Sequence, residues 1–280
     1  MIKPPTGSLV TSSWLARHLS EPGLRLIDCR HRFDDPSYGE RAYRAGHLPR
    51  AVYFGLQSHL VGREGDGRSP LPAAGVFAAT AGRAGIGDDD LIVCYDDGFG
   101  GVAARAWWLF RYFGHDKVFV LREGFPGWTG GVETGDLASP APASFTIRPG
   151  RASLARASDV QAALSSGGTA VVDARGAPRF RGEAPPLDPV EGHIPGAINI
   201  PATGGLIENA RLRAVTAKAG SIIAYCGSGI VACNIVLAGA ELGRDDIQLY
   251  AGSWSDWAAR HLPVRSGDET EPMQFHDGGS

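Results

Sequence analysis

Cys226 ends the strand-like part of Ser221-Ile-Ile-Ala-Tyr-Cys226-Gly-Ser-Gly-Ile-Val-Ala232 and is the residue best placed for nucleophilic chemistry. The isoleucine-rich run before it reads as a buried strand. Gly227 and Gly229 then let the chain curl tightly, φ > 0 conformations included. From Val231 to Leu242 apolar residues recur at helical spacing, which predicts a helix. Cys226 therefore belongs at the carboxyl end of a strand and ahead of a helix N-terminus, the edge at which open α/β sheets bind ligands. Converging amide N–H groups and the helix dipole favour a thiolate there. A free cysteine is most often a small core residue, and that reading suits Cys29 and Cys94, which lie in apolar strand-like runs. Cys233 falls just past the loop, on the following helix. The four cysteines form no CxxC pair and no zinc spacing, so no metal site is expected.

Within the loop, Gly227, Ser228, Gly229, Ile230 and Val231 can turn their amides toward an anion held at Cys226. Ser228 has the one loop side chain able to donate a hydrogen bond, as a contact to the donor, a proton relay or a local loop tie. Ile230 and Val231 can offer backbone N–H groups and exclusion of water.

The elements around this loop are written twice. Leu24-Arg-Leu-Ile-Asp28-Cys-Arg30 and Ala170-Val-Val-Asp173-Ala-Arg175 both read as strands ending in Asp-x-Arg. Gly46-His47-Leu48-Pro49 recurs as Gly192-His193-Ile194-Pro195, and Leu91–Tyr95 recurs as the strand ending at Tyr225. Helices are expected from Thr11 or Ser12 as cap, from Pro72 to Ala84, from Val102 to Phe113 and from Ser158 as cap to Leu164. Further strands are expected at Lys117–Leu121 and Asp246–Tyr250. Recurrence of several signatures in one order marks an internal repeat of about 120–140 residues. Strands alternating with helices predict an α/β fold, in each copy a parallel sheet flanked by helices. The expected boundaries are a first domain over 8–135, a Pro/Ala/Ser-rich linker over 136–152, a second domain over 153–265 and a tail over 266–280. Aligning the repeats puts Asp96 opposite Cys226. A carboxylate cannot do thiol chemistry, so the first copy is expected to be inactive and the second catalytic.

Composition sets the frame. With 280 residues, 43% hydrophobic and 20% charged, the chain can bury two cores. A net charge of −3 gives no sign of a nucleic-acid or membrane surface. No apolar stretch approaches 18 residues and Met1–Ser8 lacks an apolar leader core, so neither a transmembrane helix nor a signal peptide is expected. A free nucleophilic thiol fits the reducing cytoplasm.

Over about residues 8–265 the chain resembles the tandem-rhodanese sulfurtransferases. The residues that carry the resemblance are Gly-His-Ile-Pro-Gly (192–196), Asp-Ala-Arg (173–175), Cys-Gly-Ser-Gly-Ile-Val (226–231) and Tyr-Ala-Gly-Ser-Trp (250–254). The resemblance implies two rhodanese domains and sulfur transfer through a Cys226 persulfide, with no cofactor. It implies a small anionic sulfur donor and, as acceptor, cyanide or a thiol, thioredoxin-like proteins among them. Arg179, in Pro178-Arg-Phe-Arg-Gly182, matches the family arginine that holds the donor. Family thiosulfate enzymes carry cations inside the loop, whereas mercaptopyruvate enzymes carry Cys-Gly-Ser-Gly, so 3-mercaptopyruvate is expected ahead of thiosulfate. The mercaptopyruvate type also uses a second arginine after the first and an Asp/His pair from the first domain. Here Glu183–Val190 has no arginine, and the positions of the pair fall near Gln57 and Arg68–Ser69, so the pair is missing.

Other readings fit less well. A Cys-x5-Arg phosphatase loop would need arginine where Ala232 stands. Gly98-Phe-Gly100-Gly-Val-Ala103 looks superficially like a dinucleotide fingerprint, but it is the repeat counterpart of the Cys226 loop. Asp96-Asp97 lacks a second ligand cluster. A non-catalytic rhodanese-like binding module would be expected to lack the cysteine in both copies.

Overall fold

The two halves of the sequence build the same sheet twice. A computed structural model describes residues 5–98, 101–136, 140–202 and 209–268. Phe99 and Gly100 of the glycine-rich stretch, residues 137–139 of the expected linker and 269–280 of the expected tail lie outside the described residues. The first sheet holds β1 (Leu9–Val10), β2 (Leu24–Asp28), β3 (Val52–Tyr53), β4 (Leu91–Tyr95) and β5 (Val118–Leu121), in the order β1-β5-β4-β2-β3. The second holds β6 (Ser153–Ala155), β7 (Thr169–Asp173), β8 (Ile198–Asn199), β9 (Ser221–Tyr225) and β10 (Gln248–Tyr250), in the order β6-β10-β9-β7-β8. Every pairing in both is parallel. The orders match strand for strand, so the repeat in the sequence is a repeat of topology. β4 is buried along its whole length and β9 from Ile222 onward, as expected of central parallel strands covered on both faces.

Helices α1 (Ser12–His18), α2 (Tyr38–Ala45), α3 (Ala74–Arg83) and α4 (Val102–Tyr112) flank the first sheet. Flanking the second are α5 (Ala157–Ser166), α6 (Ala177–Arg181), α7 (Ala210–Lys218), α8 (Cys233–Glu241) and α9 (Ser253–Ala259). Thr11 caps α1 as expected, accepting from the Trp14 amide. The expected cap at Ser158 is corrected: Ser158 lies inside α5 and Arg156 is the N-cap. The Asp159 carboxylate reaches back 2.7 Å to the Arg156 amide, satisfying a donor a turn earlier than a serine at 158 could. Similarly, α8 starts at Cys233 rather than Val231, because the backbone up to Ala232 is spent on the Cys226 loop.

Among the described residues, one compact unit comprises those up to Arg63 together with Leu71–Arg151. The other comprises Glu64–Pro70 together with those from Ala152 onward. The short segment 64–70 is thus separated in sequence from the unit it packs in.

Each unit is tied together at the carboxyl ends of its strands by one buried motif. In the second unit Asp173 and Tyr225 sit side by side on β7 and β9. Arg175 donates to Asp173 (2.6 Å) and to the Gly192 carbonyl (2.6 Å), and the Ile194 amide donates to Tyr225 Oη (3.2 Å). In the first unit Asp28, Arg30, Gly46, Tyr95 and Leu48 repeat those contacts at 2.6, 2.6 and 3.1 Å. His47 stacks on Tyr43 and His193 on Phe180, with centroids 3.8 and 3.7 Å apart, each ring also bonded to its neighbour's carbonyl. The recurring Asp-x-Arg, Gly-His-x-Pro and Tyr residues are therefore one hydrogen-bonded hub that fixes where the strand-end loops leave the sheet.

Candidate active site

Cys226 follows β9 directly and is buried, at 2% exposure. The loop behind it is clamped to the start of α9. Ser253 Oγ accepts from the Cys226 amide (3.0 Å) and donates to the Tyr250 carbonyl (2.8 Å). The Trp254 and Ser255 amides donate to the carbonyls of Cys226 (2.9 Å) and Gly227 (3.0 Å). Ser253 adopts φ 54°, a left-handed conformation uncommon outside glycine.

The loop turns its backbone toward the sulfur. Gly229 N–H donates to Cys226 Sγ at 3.2 Å. Gly229 stands at φ 76°, and a Cβ there would be 2.3 Å from the Ala251 carbonyl oxygen, so this position requires glycine. Ile230 is buried and its carbonyl accepts from the Cys233 amide, closing the turn into α8. Cys233 Sγ is 3.4 Å from the Gly229 carbonyl, placing it behind the loop as packing. Ser228 belongs to the same turn, between Gly227 and Gly229, and is only partly buried.

The equivalent loop of the first unit already holds a carboxyl group. Asp96 Oδ1 accepts from the Gly98 amide (2.6 Å), and Oδ2 accepts from the amides of Val102 (3.1 Å) and Ala103 (3.0 Å). Burial pushes the Asp96 carboxyl up from its ordinary value, against the lowering by those amide bonds. A strand-end loop of this type is thus an amide cradle, filled by a side chain in one unit and facing a sulfur in the other.

Near Cys226 lies a buried ion pair, Arg175 with Asp173. Burial opposes the charge on Arg175, yet Asp173 beside it, with Tyr225 and Cys226, holds its guanidinium firmly protonated. Its Cζ lies 4.7 Å from the Trp254 ring centroid. Arg179, on α6, donates to the Pro185 carbonyl (3.2 Å) and lies 3.5 Å from Glu191, so its own loop holds it. A different arginine is brought to the cysteine loop: Arg68 Nη2 is 2.8 Å from where a Cβ on Gly227 would stand. Nothing in the sequence around Arg68 marks it as a partner of the cysteine loop. Segment 64–70 is glycine-rich and charged, like a solvated loop, and its contacts reach 187 residues along the chain. Ser253 was visible as part of Tyr-Ala-Gly-Ser-Trp, but its bond to the Cys226 amide was not.

Among the described residues, no group of three or more His, Cys, Asp or Glu is arranged to hold a metal ion, and no helix is long and apolar enough to cross a membrane.

A parallel five-stranded sheet written twice, with a cysteine at the strand-end loop of the second copy, defines a class, and comparison with known proteins gives it a family. The rhodanese-like domain matches twice, at residues 11–130 and 156–260, so the chain belongs to the tandem-domain rhodanese family. It is 40% identical to the probable 3-mercaptopyruvate sulfurtransferase of Pseudomonas aeruginosa, over 94% of this chain and 99% of that one. Its identity to the putative thiosulfate sulfurtransferase SseB of Mycobacterium tuberculosis is 37%, over 95% of this chain and 96% of that one. Among solved structures it is similar to SseA of Escherichia coli, a 3-mercaptopyruvate enzyme, with TM-score 0.76 and 31% identity over 89% of this chain and 100% of that one.

Proposed function

We propose that this chain is a cytoplasmic, cofactor-independent sulfurtransferase whose second domain catalyses and whose first domain is inactive. The observation that carries the reading is Cys226 Sγ facing the Gly229 amide in a strand-end loop clamped by α9. The Cys226 thiolate attacks the sulfur of 3-mercaptopyruvate or the outer sulfur of thiosulfate. In the first case the C–S bond breaks and the released enolate takes up the donor's thiol proton as pyruvate; in the second the S–S bond breaks and sulfite leaves. The new S–S bond leaves a persulfide on Cys226, and its terminal charge turns to the amides of residues 227–231. Cyanide or an acceptor thiol, thioredoxin-like proteins among them, then attacks the terminal sulfur and returns the thiolate. Arg179 attracts the anionic donor to this side of the domain. No disulfide joins any of the four cysteines, which suits a reducing compartment.

The neutral side chains of residues 227–231 favour 3-mercaptopyruvate as donor, in keeping with the names of the Pseudomonas and Escherichia relatives. Thiosulfate is the second reading, favoured by the Arg68 guanidinium beside Gly227, a cation of the kind a small dianion needs. Sulfur transfer to cyanide from both donors, with wild type and Cys226→Ser, separates them. The expected result is a kcat/KM at least about tenfold higher for 3-mercaptopyruvate and loss of both activities in the serine variant. Equal traces of transfer in wild type and Cys226→Ser would leave the chain a rhodanese-like binding module.

A further inference from the structure

Arg68 is held by the same element that holds Cys226. Its amide donates to Ser255 Oγ (3.1 Å) on α9, whose first residues also clamp the cysteine loop. Next to it, a Cβ on Gly67 would lie 2.4 Å from the Gly252 carbonyl, so the two backbones touch. One residue further back, Asp66 accepts from Arg260 (2.8 Å), the last turn of the same helix region. Three successive residues of segment 64–70 are thus pinned to one support, and the Arg68 guanidinium inherits that registration.

The guanidinium is shared between two surroundings. Nη2 lies against Gly227, the residue after the nucleophile, where the absence of a side chain leaves it room. Nη1 is ion-paired with Asp188, whose side chain is only 7% exposed while that of Arg68 is 40% exposed. The planar fork can keep one edge on a carboxylate and offer its remaining N–H groups to a second anion. Asp188 lies in the stretch 183–190 that contains no arginine, so this carboxylate and the distant Arg68 form one unit of nearly cancelled charge.

We propose that Arg68 is a donor-binding residue of the Cys226 site and that Asp188, by positioning it and cancelling most of its charge, sets the site to accept a monoanionic carboxylate donor ahead of a dianion. The inference rests on the sulfurtransferase reading and names what selects its donor. The sign follows from Coulomb's law: one fixed negative charge repels a dianion twice as strongly as a monoanion at the same distance. Gly227 belongs to the same device, because any side chain there displaces the guanidinium.

The test compares wild type, Arg68→Met, Arg68→Lys and Asp188→Asn. Pyruvate and sulfate, a monoanion and a dianion with no transferable sulfur, are titrated calorimetrically into each protein, and donor KM and kcat are measured alongside. Arg68→Met should weaken binding of both anions by about fivefold or more, with the loss mainly in donor KM, and Arg68→Lys should recover part of it. Asp188→Asn keeps a hydrogen-bond acceptor and removes the charge. It should tighten sulfate more than pyruvate and raise the thiosulfate-to-mercaptopyruvate ratio of kcat/KM by about threefold or more. A purely structural role would weaken both anions in both variants. That pattern, or an unchanged sulfate-to-pyruvate ratio in Asp188→Asn, overturns the proposal. If Arg68→Met does not fold, Asp188→Asn and Arg68→Lys decide. Because the titration needs no turnover, anion binding with these shifts but no sulfur transfer would sustain the anion site and sink the sulfurtransferase reading. Transfer without the shifts would do the reverse.

Discussion

At the scale of single residues, sulfur transfer depends on a backbone that can turn an amide onto a sulfur. Gly229 is the sharpest test of that geometry. Its φ of 76° and the 2.3 Å approach of the Ala251 carbonyl leave no room for a methyl group. Gly229→Ala should therefore lower stability by about 1–3 kcal/mol and abolish most sulfur transfer, read by thermal melting and the cyanide assay. Unchanged activity would mean that the 229 amide does not serve the sulfur. Ser253→Ala removes the acceptor for the Cys226 amide and leaves a buried donor unpaired, at a cost of about 1–3 kcal/mol. Local residues such as Cys226, Gly227 and Gly229 could be read from the sequence because strand, cysteine and glycines are contiguous. Arg68 and Asp188 could not be read as a pair, since 120 positions separate them and nothing in either neighbourhood names the other.

At the scale of elements, the Asp-x-Arg hubs determine where the strand-end loops begin. Asp173 is fully buried and balances Arg175, which also bridges to Gly192. Asp173→Asn leaves that guanidinium uncompensated and should cost about 3–5 kcal/mol. Limited proteolysis should then find the new cleavage sites in the second unit, and Asp28→Asn should place them in the first. Equal sensitivity of both units to either change would contradict two separately tied hubs. The central strands β2, β4, β7 and β9 were plain in the sequence because each is a five-residue run dominated by apolar residues. The edge strands β1, β3 and β8 have two residues each, too few to show any period, and pairing with a neighbour alone defines them. Helices α2, α7 and α9 escaped notice for a related reason: they are short, and α2 and α7 carry many charged residues, so tertiary packing decides them.

At the scale of the whole molecule, one fold has kept two copies of a cradle and used them differently. The duplication itself was legible, since Asp-x-Arg, Gly-His-x-Pro and Tyr recur in order; the crossing of segment 64–70 into the second unit was not. The first unit also carries a buried histidine, His115, and a half-buried one, His59. Burial holds His115 and His59 below their ordinary value, against the hydrogen bonds that His115 makes to Asp90 and His59 to Gly55. Their folded values are depressed, so both states are neutral above the ordinary histidine range and the unfolded state binds the proton first on acidification. Stability should accordingly fall as pH drops from about 6.5 toward the depressed values. Thermal melts at pH 7.5 and 5.5 should show a smaller loss in His115→Gln than in wild type, and identical losses would contradict the burial of a neutral ring. Persulfide formation on Cys226 is tested by mass spectrometry of the protein after one exposure to 3-mercaptopyruvate without acceptor. One added sulfur is expected on the peptide carrying Cys226, removed by cyanide and absent in Cys226→Ser. Sulfur on Cys29, Cys94 or Cys233 instead, or none on any peptide, would contradict it.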